Sequence, residues 1–233
     1  MNSRWIDVQT ANGETFSGYL SLPPAGHGPG IVLVQEIWGV NEHIRALADQ
    51  YALDGYVVLA PDVFWRLSPR VDLAYDDAGT QQAYGYYQQV DTALAASDVA
   101  AAVATLRGMP QVTGKVATLG YCLGGQLAFR AAALSQADAA VCYYGGGIHQ
   151  HLALADQITM PILFHYAQQD AHITQDIVAQ VKQAFAGKRN ATFCDYPGVD
   201  HGFNCWGRAK MYNQRAAALA HGRTLQFLAD TLG

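Results

Sequence analysis

Charge is scarce in this chain of 233 residues, of which only 14% are Asp, Glu, Lys or Arg while 51% are apolar. That balance excludes a disordered polyelectrolyte and supplies enough apolar surface for a sizeable core. Basic residues are in deficit, with 14 Lys and Arg against 19 Asp and Glu for a net charge of −5. No basic cluster stands out, so nucleic acid is not an expected partner. Long apolar runs are missing as well, and none approaches the roughly eighteen residues of a membrane-spanning helix. Met1 to Glu14 lack a charged start, an apolar stretch and a small-residue cleavage site, so no secretion signal is indicated. Cysteine is sparse: Cys122, Cys142, Cys194 and Cys205 are scattered, and none forms a C-x-x-C pair. A disulfide scaffold is thereby excluded, and reduced thiols in a cytoplasmic setting fit the pattern, leaving a cysteine free for chemistry.

What is present is an alternation of short apolar runs with longer helix-like segments. Trp5 to Gln9 and Thr15 to Leu22 flank Asn12-Gly13, a strong hairpin signal. Ile31 to Val34 and Tyr56 to Ala60 are apolar on both faces, as strands covered by helices should be, with a helix over Glu42 to Leu53 between them. Asp62 to Gln89, rich in Tyr and Gln and weakly periodic, reads as a loop or short-helix excursion of the kind that shapes a binding site. Helicity resumes at Asp91, where Val99, Val103 and Leu106 share a face. Strands over 115–119, 139–144, 161–166 and 191–196 follow, with helices over 124–134, around Ile177, Val181 and Phe185, and over 208–232. The sum is a single α/β domain over 1–233 with a mostly parallel sheet covered on both faces, its ligands at the carboxyl ends of strands.

Gly120-Tyr121-Cys122-Leu123-Gly124 lies where a predicted strand turns into a helix. G-x-C-x-G at such a place is a nucleophile elbow, because glycines two positions either side permit the sharp turn that lifts the central side chain above the sheet. The bland reading of Cys122, a buried apolar thiol, is the weaker one in this setting. The order nucleophile, acid, histidine is completed by Asp170, just after a strand, and His201, in the loop before the closing helix. The imidazole would move protons while the carboxylate fixes its tautomer. His172 and Asp200 are the nearby competitors for these two roles. Gln35-Glu36-Ile37-Trp38 follows directly on a strand, so the Ile37 and Leu123 amides are the expected oxyanion donors. Glu36 beside a thiol would either raise its pKa or remove its proton.

Together Q-E-I-W-G-V-N at 35–41, A-P-D at 60–62, G-Y-C-L-G-G at 120–125, Y-Y-G at 143–145 and H-G-F at 201–203 resemble the dienelactone hydrolase family of the α/β hydrolases across nearly the whole chain. The resemblance implies an α/β-hydrolase fold, a Cys122, His201 and Asp170 triad, Glu36 as acceptor of the thiol proton, and hydrolysis of an enol-lactone through an acyl-enzyme. A thiolate suits a substrate with a stabilised enolate leaving group. Two positions depart from the family pattern: Thr80 and Cys205 stand where a pair of carboxylate-reading arginines would be expected, leaving Arg66, Arg70 or Arg208 to supply a cation.

Trp38, Tyr84, Tyr144 and Phe203 are the expected substrate-binding residues, with Tyr86 and Tyr87 as further aromatic candidates. His149 and His151 have the spacing of a ligand pair but no evident third partner, and Gly145-Gly146-Gly147 reads as a turn near the pocket mouth rather than a phosphate cradle. No cofactor and no metal are expected. The partner is a small ester or lactone, with the protein a monomer or weak homo-oligomer. The competing readings are hydrolysis of another small ester or thioester, and a non-turnover ligand-binding or redox-sensing role for Cys122.

Overall fold

The computed structural model describes residues 2–233. Eight strands form one sheet: β1 (Asn2–Gln9), β2 (Thr15–Leu22), β3 (Gly28–Val34), β4 (Val57–Pro61), β5 (Val112–Tyr121), β6 (Ala139–Tyr143), β7 (Ile162–Ala167) and β8 (Ala191–Tyr196), in the order β1-β2-β4-β3-β5-β6-β7-β8. The hairpin β1–β2 pairs in register from Asn2 opposite Leu22 to Gln9 opposite Thr15, and β2 adds antiparallel to β4. Every pairing from β4 through β8 is parallel. Residues of β4, β6 and β7 are buried throughout, which is why their sequences read as unbroken apolar runs.

Six helices cover the sheet: α1 (Glu42–Leu53), α2 (Asp77–Gln89), α3 (Thr92–Arg107), α4 (Leu123–Leu134), α5 (Gln175–Ala184) and α6 (Gln214–Leu232). The pleat divides the core in two, since Ile31 and Leu33 enter one cluster with α1, α5 and α6, while Val32 and Val34 enter the other with α3. Side chains fix the helix starts: Asn41 accepts from the Ile44 amide at 3.2 Å, Asp91 from Ala93 and Leu94 at 2.8 and 3.1 Å, and Asn213 from Ala216 at 3.0 Å.

Two sequence expectations are revised. The excursion after β4 ends in a full helix, α2, capped by Asp76 on the Gly79 amide at 2.7 Å. Its buried residues are only Gly79 and Ala83, so it carries almost no apolar stripe to read. The closing helix starts at Gln214 rather than Arg208, because the Asn213 amide donates back to the Phe203 carbonyl and its side chain caps the helix. Arg208 therefore sits in a loop. The glycine run after β6 leads through Gly147, in the left-handed region at φ +84°, into a 3-10 segment over Ile148–Asp156 that holds His149 and His151 half-buried.

Candidate active site

The carboxyl ends of β3, β5, β6, β7 and β8 bring Glu36, Cys122, Tyr144, Asp170 and His201 to one end of the sheet. Cys122 adopts φ 55° and ψ −115°, a strained conformation for a residue with a side chain. Its surroundings enforce it. A Cβ on Gly120 would lie 2.0 Å from the Gly124 carbonyl oxygen, and one on Gly124 would lie 2.2 Å from that of Val34, so only glycines allow the turn to pack this tightly. The Cys122 amide donates to the Tyr143 carbonyl at 3.0 Å, and the residue stands directly ahead of α4, where helix N–H groups favour a thiolate. Among the described residues, neither the Ile37 nor the Leu123 amide donates to a protein acceptor, so both remain available to a ligand oxygen.

His201 Nδ1 lies 2.7 Å from Asp170 Oδ2. The other carboxylate oxygen accepts from the His172 and Ile173 amides at 2.8 and 2.9 Å, so Asp170 is bonded at both oxygens and cannot swing away from the ring. Burial works against the Asp170 carboxylate, but His201 and the two amides hold its pKa below the usual range. Burial likewise opposes the His201 imidazolium, and the facing Cys122 sulfur together with Asp170 overcomes it, setting that pKa well above the ordinary histidine value. The competitors take other places: the His172 ring packs edge-on against His201 at 5.4 Å, and Asp200 accepts only from the His201 backbone amide.

The geometry of this end of the chain has relatives. The dienelactone hydrolase family model matches residues 16–232. The chain belongs to the dienelactone hydrolase family. It is 32% identical over 230 residues to carboxymethylenebutenolidase 1 of Cupriavidus pinatubonensis and 34% identical over 230 residues to the carboxymethylenebutenolidase of Pseudomonas putida, covering 98% of this chain and 97% of each relative. Among solved structures, one from Klebsiella pneumoniae assigned provisionally as a dienelactone hydrolase superposes with a TM-score of 0.84 at 28% identity, over 98% of this chain and 99% of that one. This member of the family is accordingly a carboxylic ester hydrolase with the α/β-hydrolase fold, and among the described residues no helix is long and apolar enough to cross a membrane.

Within this family member, Glu36 is buried, 1% exposed, and its Oε2 accepts from the Tyr75 hydroxyl at 2.9 Å while Oε1 has no partner. Cys205 and His43 complete the set: ligand atoms of Glu36, His43 and Cys205 lie within 4.8 Å of one another. Burial and the Glu36 charge push the Cys205 thiol well up, burial holds His43 below its ordinary pKa, and burial with the charges of Glu36 and Cys205 pushes the Tyr75 phenol far up. Sequence reasoning marked Glu36, and Cys205 only as the place of an absent arginine. Nothing in the one-dimensional pattern links either to His43 on α1 or Tyr75 ahead of α2.

The expected aromatic wall is met unevenly. Trp38 is buried against Tyr75, centroids 5.0 Å apart, and Tyr144, at φ 34°, packs on the His201 ring at 5.1 Å. Phe203 packs edge-on against Tyr144 at 5.4 Å, and both are fully enclosed, so burial holds them in the core beside His201. Tyr84 and Tyr87 are both exposed on α2, and Tyr87 is the one whose phenol pKa is raised, by its partial desolvation and then by the Cys122 charge. Of the three arginines, Arg66 is paired with Asp98 and Glu14, and Arg70 lies over Trp5 at 4.9 Å. Arg208 alone reaches the site, its guanidinium 4.7 Å from the Trp38 ring centroid. It makes no ion pair among the described residues. A cleft of about 720 Å³ opens beside His43, Tyr75 and Trp206, and its lining includes neither Cys122 nor His201.

Proposed function

We propose that the chain, acting as one catalytic domain, hydrolyses small activated esters or enol-lactones of the dienelactone type with Cys122 as nucleophile. The observation that carries this reading is the 2.7 Å His201–Asp170 bond facing a cysteine on a strained elbow. His201 and Glu36 are the two acceptors for the thiol proton, Glu36 through the oxygen that has no partner. The Cys122 thiolate adds to the lactone carbonyl carbon, and the developing oxyanion is held by the Ile37 and Leu123 amides. Collapse breaks the ring C–O bond, the departing enolate oxygen takes up the proton that left the thiol, and a thioester remains on Cys122 beside a neutral imidazole. His201 then takes a proton from water, the hydroxide adds to the thioester, and the C–S bond breaks to free the carboxylate and regenerate the thiolate. Asp170 holds the imidazole in the tautomer this requires.

Arg208 on Trp38 supports recognition of a substrate carboxylate by a single cation rather than by a bidentate pair. The relatives carry the name carboxymethylenebutenolidase, which agrees with a carboxylated lactone. Steady-state hydrolysis of dienelactone, p-nitrophenyl acetate and a short acyl thioester by the wild type and by Cys122→Ala tests the reading. Dienelactone turnover that falls by on the order of 10⁴-fold or more in the variant is expected. Turnover of only the other esters removes the substrate, and turnover that survives in Cys122→Ala removes the nucleophile.

A further inference from the structure

Glu36 is a buried carboxylate without a cationic partner: among the described residues no Lys, Arg or His lies in ion-pair contact with it, and one of its oxygens bonds nothing. A lone buried charge is costly, and proteins ordinarily neutralise it with a counter-charge or a metal. The groups beside it are metal-ligand types. His43 is 5% exposed with Nδ1 unpartnered, Cys205 is fully buried as a free thiol, and the three donors lie within 4.8 Å of one another.

We propose that Glu36, His43 and Cys205 form a binding site for a divalent transition-metal cation of the zinc type. A carboxylate, an imidazole and a thiolate are a donor set that zinc accepts, and three protein ligands leave a fourth position open. Metal–ligand lengths of about 2.0 to 2.3 Å place tetrahedral donors roughly 3.3 to 3.8 Å apart, so the three side chains close by only about 1 Å on the ion. The charges balance, since one carboxylate and one thiolate neutralise a dication while His43 stays uncharged. Binding releases the Cys205 proton to solvent and forms the metal–sulfur bond, with no oxidant or reductant needed. The cleft lined by His43, Tyr75 and Trp206 provides the route from solvent. Tyr75, already bonded to Glu36 at 2.9 Å, fixes the orientation of the ligating carboxylate, as outer hydrogen bonds do at metal sites. The site shares Glu36 with the proposed thiol activation but includes none of Cys122, His201 and Asp170, so its failure would leave the proposed hydrolysis standing, whereas occupancy would withdraw Glu36 from the thiol.

The test uses the full chain stripped with chelator and titrated with Co²⁺ as a spectroscopic probe, then with Zn²⁺. One equivalent of Co²⁺ is expected to produce a near-ultraviolet thiolate-to-cobalt charge-transfer band, which Zn²⁺ displaces. Cys205→Ser should abolish the band, His43→Gln should weaken binding by at least about tenfold, and Cys122→Ser should leave both intact. Circular dichroism identifies any variant that does not fold, in which case the remaining variant decides. Absence of stoichiometric binding in the wild type overturns the site, as does a band that depends on Cys122 and survives Cys205→Ser.

Discussion

Two buried histidines, His201 and His165, show how little residue type says about role. His201 lies in a loop after β8, bonded to a carboxylate and faced by a thiol, and its pKa is raised. His165 lies on β7, fully buried between the Tyr196 hydroxyl at 2.8 Å and Thr224 Oγ1 at 2.9 Å, and burial, with the Arg223 charge adding to it, lowers its pKa to about 3. The difference is in the partner. A carboxylate and a thiolate reward the imidazolium, whereas two hydroxyls use the neutral ring as one donor and one acceptor and give a second proton nothing. One histidine is therefore fit to move protons, and the other joins β7 to β8 and α6.

The largest expected separation between them is catalytic. His201→Gln should lower kcat/KM by on the order of 10⁴-fold, about 5 kcal/mol of transition-state stabilisation, with His165→Phe staying within about threefold of wild type. Comparable losses in both variants would erase the distinction. Asp170→Asn should follow at about 10³-fold in kcat, because the ring keeps its place but loses the acceptor that fixes its tautomer.

Stability should separate them in the opposite sense. His165→Phe leaves the Tyr196 and Thr224 hydroxyls without their ring partner, and urea unfolding should report a loss of about 2 to 4 kcal/mol. The pH dependence sharpens the point. Between the ordinary histidine value of 6.5 and about 3, the unfolded chain binds a proton at residue 165 that the folded chain refuses, so stability falls as pH drops through that window, by roughly 5 kcal/mol in full. His201 has the reverse sign, its contribution being complete below 6.5 and lost as pH rises through its raised folded value. Asp170, lowered in the folded state, keeps its contribution above 3.8 and loses it only as pH falls through its folded value, whereas the raised Asp62 and the lowered His43 and His151 titrate in the same window as His165, so the difference in urea stability between wild type and His165→Phe at pH 4.5 to 6.5 isolates His165. A difference between the two proteins that does not change across that interval would contradict a proton-refusing His165. The smallest effect concerns the substrate: Arg208→Ala should raise KM for a carboxylated lactone by about tenfold, about 1.4 kcal/mol, and leave a neutral acetate ester unchanged.

The elbow was legible because its requirement is local: a strained residue between a strand and a helix needs glycines at Gly120 and Gly124, and these are visible as a spacing. The buried strands were legible from their apolar runs. Helix α2 was not, since a helix that buries only Gly79 and Ala83 has no stripe to detect. The start of α6 was misjudged because the carbonyl that holds Asn213 in place belongs to Phe203, back in the His201 loop.

The sequence by itself determined the alternation of strands and helices, the thiol at the turn, and the order in which acid and histidine follow it. These depend on neighbours along the chain. Only the tertiary structure decided which arginine stands over Trp38, that Glu36 turns to Tyr75 in company with His43 and Cys205, and that His165 refuses the proton His201 keeps. Each of those outcomes is an electrostatic or hydrogen-bonding property of groups brought together from distant loops. Charge energies depend on separation and burial in space, which sequence spacing does not encode.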